Sequence, residues 1–243
     1  MACDEHPLPH FVLRTSTKIA PDDLIEKFRL LRELKHRCWL PLLSYYVLAP
    51  VLVEQVRRAM EPLVPIDDNE SDRRAQERIT QGEHVAKTAV LFDACNVMRH
   101  GLTRHQKSAT DVIDTQAKAL APHFAAWDLD HENMDLWLDD LDGIVRGQPS
   151  RIFHDVIQET RTRWRRGSSL LQQAVTQARQ ASRAYAKLHG ELVVANLRLV
   201  ANAVKRLVYR VTSAEDLGSE GAIGLLKAAH RFDPERGLRF STF

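Results

Sequence analysis

A chain of 243 residues with 44% hydrophobic and 27% charged side chains can bury a core unaided, which argues against a disordered segment. Cys3, Cys38 and Cys95 are odd in number, widely spaced and never in a CxxC pair, which argues against a disulfide frame and fits reduced thiols. The formal net charge of +2 is close to neutral and says nothing by itself about a nucleic-acid partner.

Ten glycines and ten prolines punctuate the chain sparsely, and apolar residues recur at three and four instead of alternating. An all-α, multi-helix bundle is expected. No basic start followed by an apolar run marks a signal peptide. The longest apolar segment, Trp39 to Val53, holds two prolines and is too short for a bilayer, so a soluble, cytoplasmic protein without a membrane partner is expected.

Residues 1–20 read as a flexible tail. A first helix starts at Pro21-Asp22-Asp23 and runs through Leu24, Phe28, Leu31 and Leu34. A second spans Pro41 to Met60, with a kink expected at Pro50. Pro62, Pro65 and Asp67-Asp68-Asn69 form a polar connection. A long helix follows from Ser71 to His100 and ends at Gly101. Thr103–Leu120 and His131–Val145 are the next helices, the latter stopped by Gly147-Gln148-Pro149. Ile152–Arg166 is another, and after Gly167 a cap at Ser168 or Ser169 opens a long helix to Arg210 that must run through Gly190. The proline-marked gaps suggest a helical N-terminal region at 21–150 and a second helical domain at 151–243.

Arg151 to Arg210 holds twelve basic residues against Asp155, Glu159 and Glu191. This is either a solvated helix face or an electrostatic footprint for a phosphate backbone. Trp164, among arginines, either stacks on a base or packs on its own protein.

Val193, Leu197, Val200, Val204, Val208 and Val211 form one apolar row. Leu188, Leu192, Ala195, Leu199, Ala203 and Leu207 form a second beside it, so this helix is expected deep in a bundle, with Asn196 and Arg198 as polar exceptions. Ser213-Ala214-Glu215-Asp216 is a capping box. On the helix it starts, Asp216, Glu220, Ile223 and Lys227 share an outward face, and Leu217, Gly221, Gly224 and Ala228 share another. Glycine inside a helix costs about 1 kcal/mol, so two of them one turn apart suggest close approach of a neighbouring backbone. Asp233-Pro234-Glu235-Arg236-Gly237 reads as a capped turn, and Ser241 and Thr242 as the N-cap of a further helix.

The run Asp216-Leu217, Glu220-Gly221, Ile223-Gly224-Leu225, Lys227-Ala228, Phe232-Asp233, Arg236-Gly237 and Phe240-Ser241-Thr242 resembles the second conserved region of the sigma-70 family. These are bacterial RNA polymerase specificity factors. Leu31-Arg32-Glu33-Leu34 and Leu42-Leu43-Ser44 faintly echo the family's preceding region, and about Met60 to Gln180 would match its variable helical insertion.

The resemblance implies that the Asp216–Ala229 helix docks on a coiled coil of the polymerase beta-prime subunit through Asp216, Glu220 and Leu226. Ser219 and Ala222 stand where the family has glutamine and asparagine, and Glu215 where it has an apolar residue. It also implies contact with the non-template strand of promoter DNA at the minus-ten element. Asn196 and Leu199 match the pocket for its last base, and Arg236, Ser241, Thr242 and Phe243 surround a flipped adenine. Phe243 replaces a tyrosine and keeps a stacking ring, whereas Leu238 replaces an aromatic wall.

The family continues with a duplex-melting helix, and the sequence stops before it, so an N-terminal portion or truncated product is expected. The resemblance implies a transcription initiation factor, or a decoy that occupies polymerase without opening promoters, with an anti-sigma protein as a further candidate partner. A helical metalloenzyme using His123, Asp128, Asp130, His131 and Glu132 is the remaining class. Those residues lack a fixed ligand spacing and fit an acidic helix start better. No catalytic motif, metal or cofactor is expected.

Overall fold

The computed structural model describes residues 19–59, 89–101, 106–159, 168–207 and 213–243. The start of the 71–100 helix, the end of the 152–166 helix, Trp164 with its arginines, and Val208, Arg210 and Val211 lie outside them, as does nearly all of the expected tail. The described residues form eight α-helices and one short 3-10 turn, with no strand. They are α1 (Pro21–Leu43), α2 (Ala49–Ala59), α3 (Ala89–Arg99), α4 (Gln106–Trp127), α5 (Glu132–Val145), α6 (His154–Glu159), α7 (Ser169–Leu207) and α8 (Ala214–Arg231), then the turn Pro234–Arg236. The all-α expectation holds.

By contacts the chain divides into two units, one of Met1–Glu33 with Arg183–Phe243 and one of Leu34–Ser182. The division falls within α1 and α7, not between residues 150 and 151. The glycine–proline stop after α5 is no linker. Gly147 and Gln148 donate back to Ile144 and Gly143, and Asp140 accepts from the Ser150 hydroxyl (2.5 Å) and the Arg151 N–H (2.7 Å).

In the Leu34–Ser182 unit the core is aromatic. Trp39 packs on Phe124 at 5.0 Å between ring centroids and edge-on to Trp137 at 5.5 Å, and Trp137 meets Phe153 at 5.2 Å. The spacing of α5 produces this directly: Met134, Trp137, Leu138, Leu141 and Ile144 are buried, while Glu132, Asp135 and Asp139 face water. Burial also accompanies the two places where a helix continues past a proline. α1 runs past Pro41 because Leu42 and Leu43 are buried, and α4 runs past Pro122 because Phe124 is.

Pro50 does not kink a helix. It sits in the first turn of α2, where a missing N–H is no loss. Gly190 does not interrupt α7.

The residues of the metal alternative sit around the entrance to α5. Asp128, buried, accepts from the backbone N–H groups of Asn133 (3.1 Å) and Met134 (3.0 Å), and Lys35 donates to the Leu129 carbonyl at 2.9 Å. His131 takes the left-handed conformation at φ 62 that lets the chain enter the helix. Asp128 therefore does a helix-capping job. Among the described residues no group of three or more His, Cys, Asp or Glu is arranged to hold a metal.

Asp128→Ala is expected to lower unfolding free energy by about 1–2 kcal/mol, because two helix-starting N–H groups lose their acceptor. Asp128→Asn, which keeps one acceptor oxygen, should lose less. Burial pushes the Asp128 carboxyl up despite its N–H donors. The folded state thus holds that proton more tightly than the unfolded chain, and stability falls as pH rises through the folded value. Urea titrations between pH 4 and 7 should show this slope in the native chain and its reduction in Asp128→Asn.

Candidate functional site

The site residues belong to the unit of Met1–Glu33 and Arg183–Phe243. α8 begins as the capping pattern requires. The Ser213 hydroxyl accepts from the Asp216 N–H at 3.1 Å and donates to Asp216 Oδ2 at 2.7 Å, fixing that carboxylate at the first turn. Asp216, Ser219, Glu220, Ile223, Leu226 and Lys227 are exposed and Ala222 is half-buried. All five expected polymerase-contact positions therefore stand on one helix, with Ile223 47% and Leu226 40% exposed among the charges.

The opposite face of α8 is buried through Leu225 and Ala229. The expected close approach is half right. A Cβ at Gly221 would lie 2.6 Å from Cγ1 of buried Val200 on α7, so glycine is required there, against a side chain and not a backbone. Gly224 has open space instead, so no neighbour demands it.

The second half of α8 is tied to α7 by polar rings. His189 Nε2 donates to the Leu226 carbonyl at 3.1 Å, so that nitrogen carries the proton. The Tyr185 hydroxyl and His230 Nδ1 are 2.6 Å apart, and the two imidazoles stack at 3.8 Å. These residues hold the backbone under Leu226. The sequence offered no signal for them beyond helical spacing.

α7 is not buried as evenly as its two rows suggested. Val193, Val200 and Val204 of the first row are buried, with Leu197 half-buried. The second row emerges from the core along its length: Leu188 and Leu192 are buried, Ala195 and Leu199 half-buried, Ala203 and Leu207 exposed. Asn196, half-buried, donates to the Leu192 carbonyl of its own helix at 2.7 Å. Of the basic segment, Arg183, Lys187, Arg198, Lys205 and Arg206 are exposed. Arg179, in the other unit, is paired with Asp139 and Asp142 and so is engaged within its own unit.

The closing turn follows the sequence reading. Asp233 accepts from the Glu235 N–H at 3.0 Å, Pro234 is buried at the turn's start, and Gly237 exits at φ 68. Three rings pin this turn: Phe28 of α1 lies 4.7 Å from Phe232 and 4.8 Å from Phe240, which are 5.2 Å apart. Phe243 packs edge-on to Phe232 at 5.6 Å with half its surface exposed. Around the rings, Arg32 donates to Asp233 and Arg29 to Glu235, each at 3.0 Å, and the latter contact raises the Arg29 pKa. Arg236, Ser241 and Thr242 are exposed. The expected DNA residues thus fall on two elements, Asn196 and Leu199 on α7 and the rest on the closing turn. Phe28, Arg29 and Arg32, about two hundred positions away, were missed as site residues.

Residues 192–243 match the family model of sigma-70 region 2. The chain is 44% identical over 66 residues to "RNA polymerase sigma factor RpoS" of Coxiella burnetii, covering 27% of this chain and 19% of that protein. It is 45% identical over 53 residues to SigA of a Nostoc species and to SigA1 of Synechococcus elongatus, each covering 22% of this chain and 14% and 13% of those sigma factors. The chain therefore spans less than a fifth of the length of these relatives.

The two glycines of α8 should answer alanine with opposite signs. Gly224→Ala should stabilise by up to about 1 kcal/mol through helix propensity. Gly221→Ala forces Val200 aside, an overpacking cost of about 1–3 kcal/mol that exceeds the propensity gain. Chemical denaturation of both variants measures the difference.

Proposed function

We propose that this chain, which belongs to the sigma-70 family through residues 192–243, acts as a transcription initiation factor that binds core RNA polymerase and helps read the promoter minus-ten element. One observation carries the reading: α8 presents Asp216 and Glu220 beside the exposed apolar pair Ile223 and Leu226, on a helix anchored to α7 through its other face. Isolated exposed apolar residues are ordinary, but two of them three residues apart, with Glu220 one turn before Ile223, suit a partner helix. The beta-prime coiled coil is the partner proposed, with Ser219 and Ala222 at the contact's edge. An anti-sigma protein would compete for the same face.

For DNA, the half-exposed ring of Phe243 offers a surface on which a base of the non-template strand stacks. Arg236 supplies a cation to the strand, and Ser241 and Thr242 supply hydroxyls. Asn196 and Leu199 form the second base pocket on α7, where Asn196 would exchange its bond to the Leu192 carbonyl for one to a base. A flipped base costs a few kcal/mol of unstacking, which several such contacts together offset. No membrane partner enters this reading, and no described helix is long and apolar enough to cross a membrane. Recognition here acts through binding alone, without a catalytic group.

Glu220→Lys combined with Leu226→Ala is expected to weaken binding to core polymerase at least about tenfold, the scale of a lost interface hot spot. Phe243→Ala should leave that affinity intact. It should weaken binding of a single-stranded minus-ten oligonucleotide to the complex by about 1–3 kcal/mol. Fluorescence anisotropy measures both. A native chain that ignores polymerase sinks the reading. A chain that binds polymerase, competes with a full sigma factor and never starts transcripts is instead a decoy.

A further inference from the structure

The closing turn carries Asp233, Glu235, Arg236 and Arg239, so taken by itself it is electrically neutral. A polyanion approaching Arg236 would meet two carboxylates beside it. In the folded chain those carboxylates are already occupied. Arg32 Nη1 donates to Asp233 Oδ1 at 3.0 Å, Arg29 Nε donates to Glu235 Oε1 at 3.0 Å, and Arg32 Nη2 stands 3.8 Å from that same oxygen. Arg236 Nε stays 4.0 Å from Asp233 Oδ2, beyond hydrogen-bond reach, with its side chain 70% exposed. Counting Glu26, 3.7 Å from Arg29, four guanidinium groups stand against three carboxylates.

We propose that Arg29 and Arg32 are positioning residues for nucleic acid: by holding Asp233 and Glu235 they turn a neutral turn into a net-positive one and leave Arg236 open to a phosphate. This rests on the promoter-reading function proposed above. Magnitudes favour an electrostatic role over a structural one. Half-exposed ion pairs contribute little to stability, whereas the Phe28–Phe232–Phe240 cluster keeps α1 on the turn without them. Polyanion affinity, in contrast, responds steeply to local charge and to salt.

The test compares three variants of the 243-residue chain with the native one. R29Q/R32Q removes the two arginines. R29Q/R32Q/D233N/E235Q also removes the carboxylates they hold, and the asparagine keeps an acceptor for the turn. R99Q/R146Q deletes the same charge from exposed arginines of the other unit that lie outside the basic segment. Affinity of each chain–core polymerase complex for labelled single-stranded minus-ten DNA is measured across salt, with elution of the chain alone from heparin as a second readout.

R29Q/R32Q should lose about tenfold in DNA affinity with a shallower salt slope and unchanged polymerase affinity. The fourfold variant should return to within about twofold of native, and R99Q/R146Q should stay near native. A double variant that binds DNA like the native chain overturns the proposal, as does a fourfold variant as weak as the double. If the native complex ignores the DNA, it is the minus-ten reading that fails. Heparin then decides the arginines' role. Elution of R29Q/R32Q at lower salt than R99Q/R146Q, reversed in the fourfold variant, supports it, and equal elution overturns it.

Discussion

Packing of Phe28 against Phe232 and Phe240 is the contact on which the site unit is organised. Three rings within about 5 Å of one another join the first helix to the last turn of a chain in which those elements are about two hundred residues apart. Each aromatic pair contributes about 0.5–1.5 kcal/mol beyond the area it buries, and the surrounding solvent-exposed ion pairs contribute less. The rings therefore decide where the closing turn sits. The arginines decide what charge it shows.

α8 solves a different problem, since it must be fixed without covering the face it presents. A small residue, Gly221, lets Val200 seat against the helix, Leu225 and Ala229 fill the contact, and His189 holds the Leu226 carbonyl. None of these uses Asp216, Glu220, Ile223 or the Leu226 side chain. The bound face relies on dispersion, one backbone acceptor and the Tyr185–His230 contact, so the outward face keeps its chemistry.

Much of this was legible in the sequence where the physics is local. The Ser213 cap, the Asp233–Gly237 turn and the helical spacing of α5 and α8 depend on residues a few positions apart, and each appears as expected. Prolines were harder, because a proline marks either a helix interior or a first turn. Neighbouring burial settles which: Pro50 starts α2, and Pro41 and Pro122 are carried along by buried Leu42 and Phe124. The two apolar rows of α7 misled for a similar reason. Periodicity reports which residues share a face, but Ala203 and Leu207 are exposed because burial also needs a neighbour at that height. The brace of Arg29 and Arg32 left no local trace, since nothing in a helix of mixed charge says which carboxylates it will meet.

The segment that matches the family model is consequently not self-sufficient. Residues 192–243 carry every residue of both proposed contacts, yet several of the groups that fix them in place lie outside that span. Phe28 and the two arginines hold the turn from α1, and Tyr185 and His189 hold α8 from the earlier part of α7. A segment cut at residue 192 would expose the faces of Phe232 and Phe240 that Phe28 covers and release two carboxylates beside Arg236. The residues of the proposed contacts would all be present, but the turn would be neither pinned nor net positive. The remainder of this unit is thus part of the site, because it sets the geometry and the field in which those few residues act.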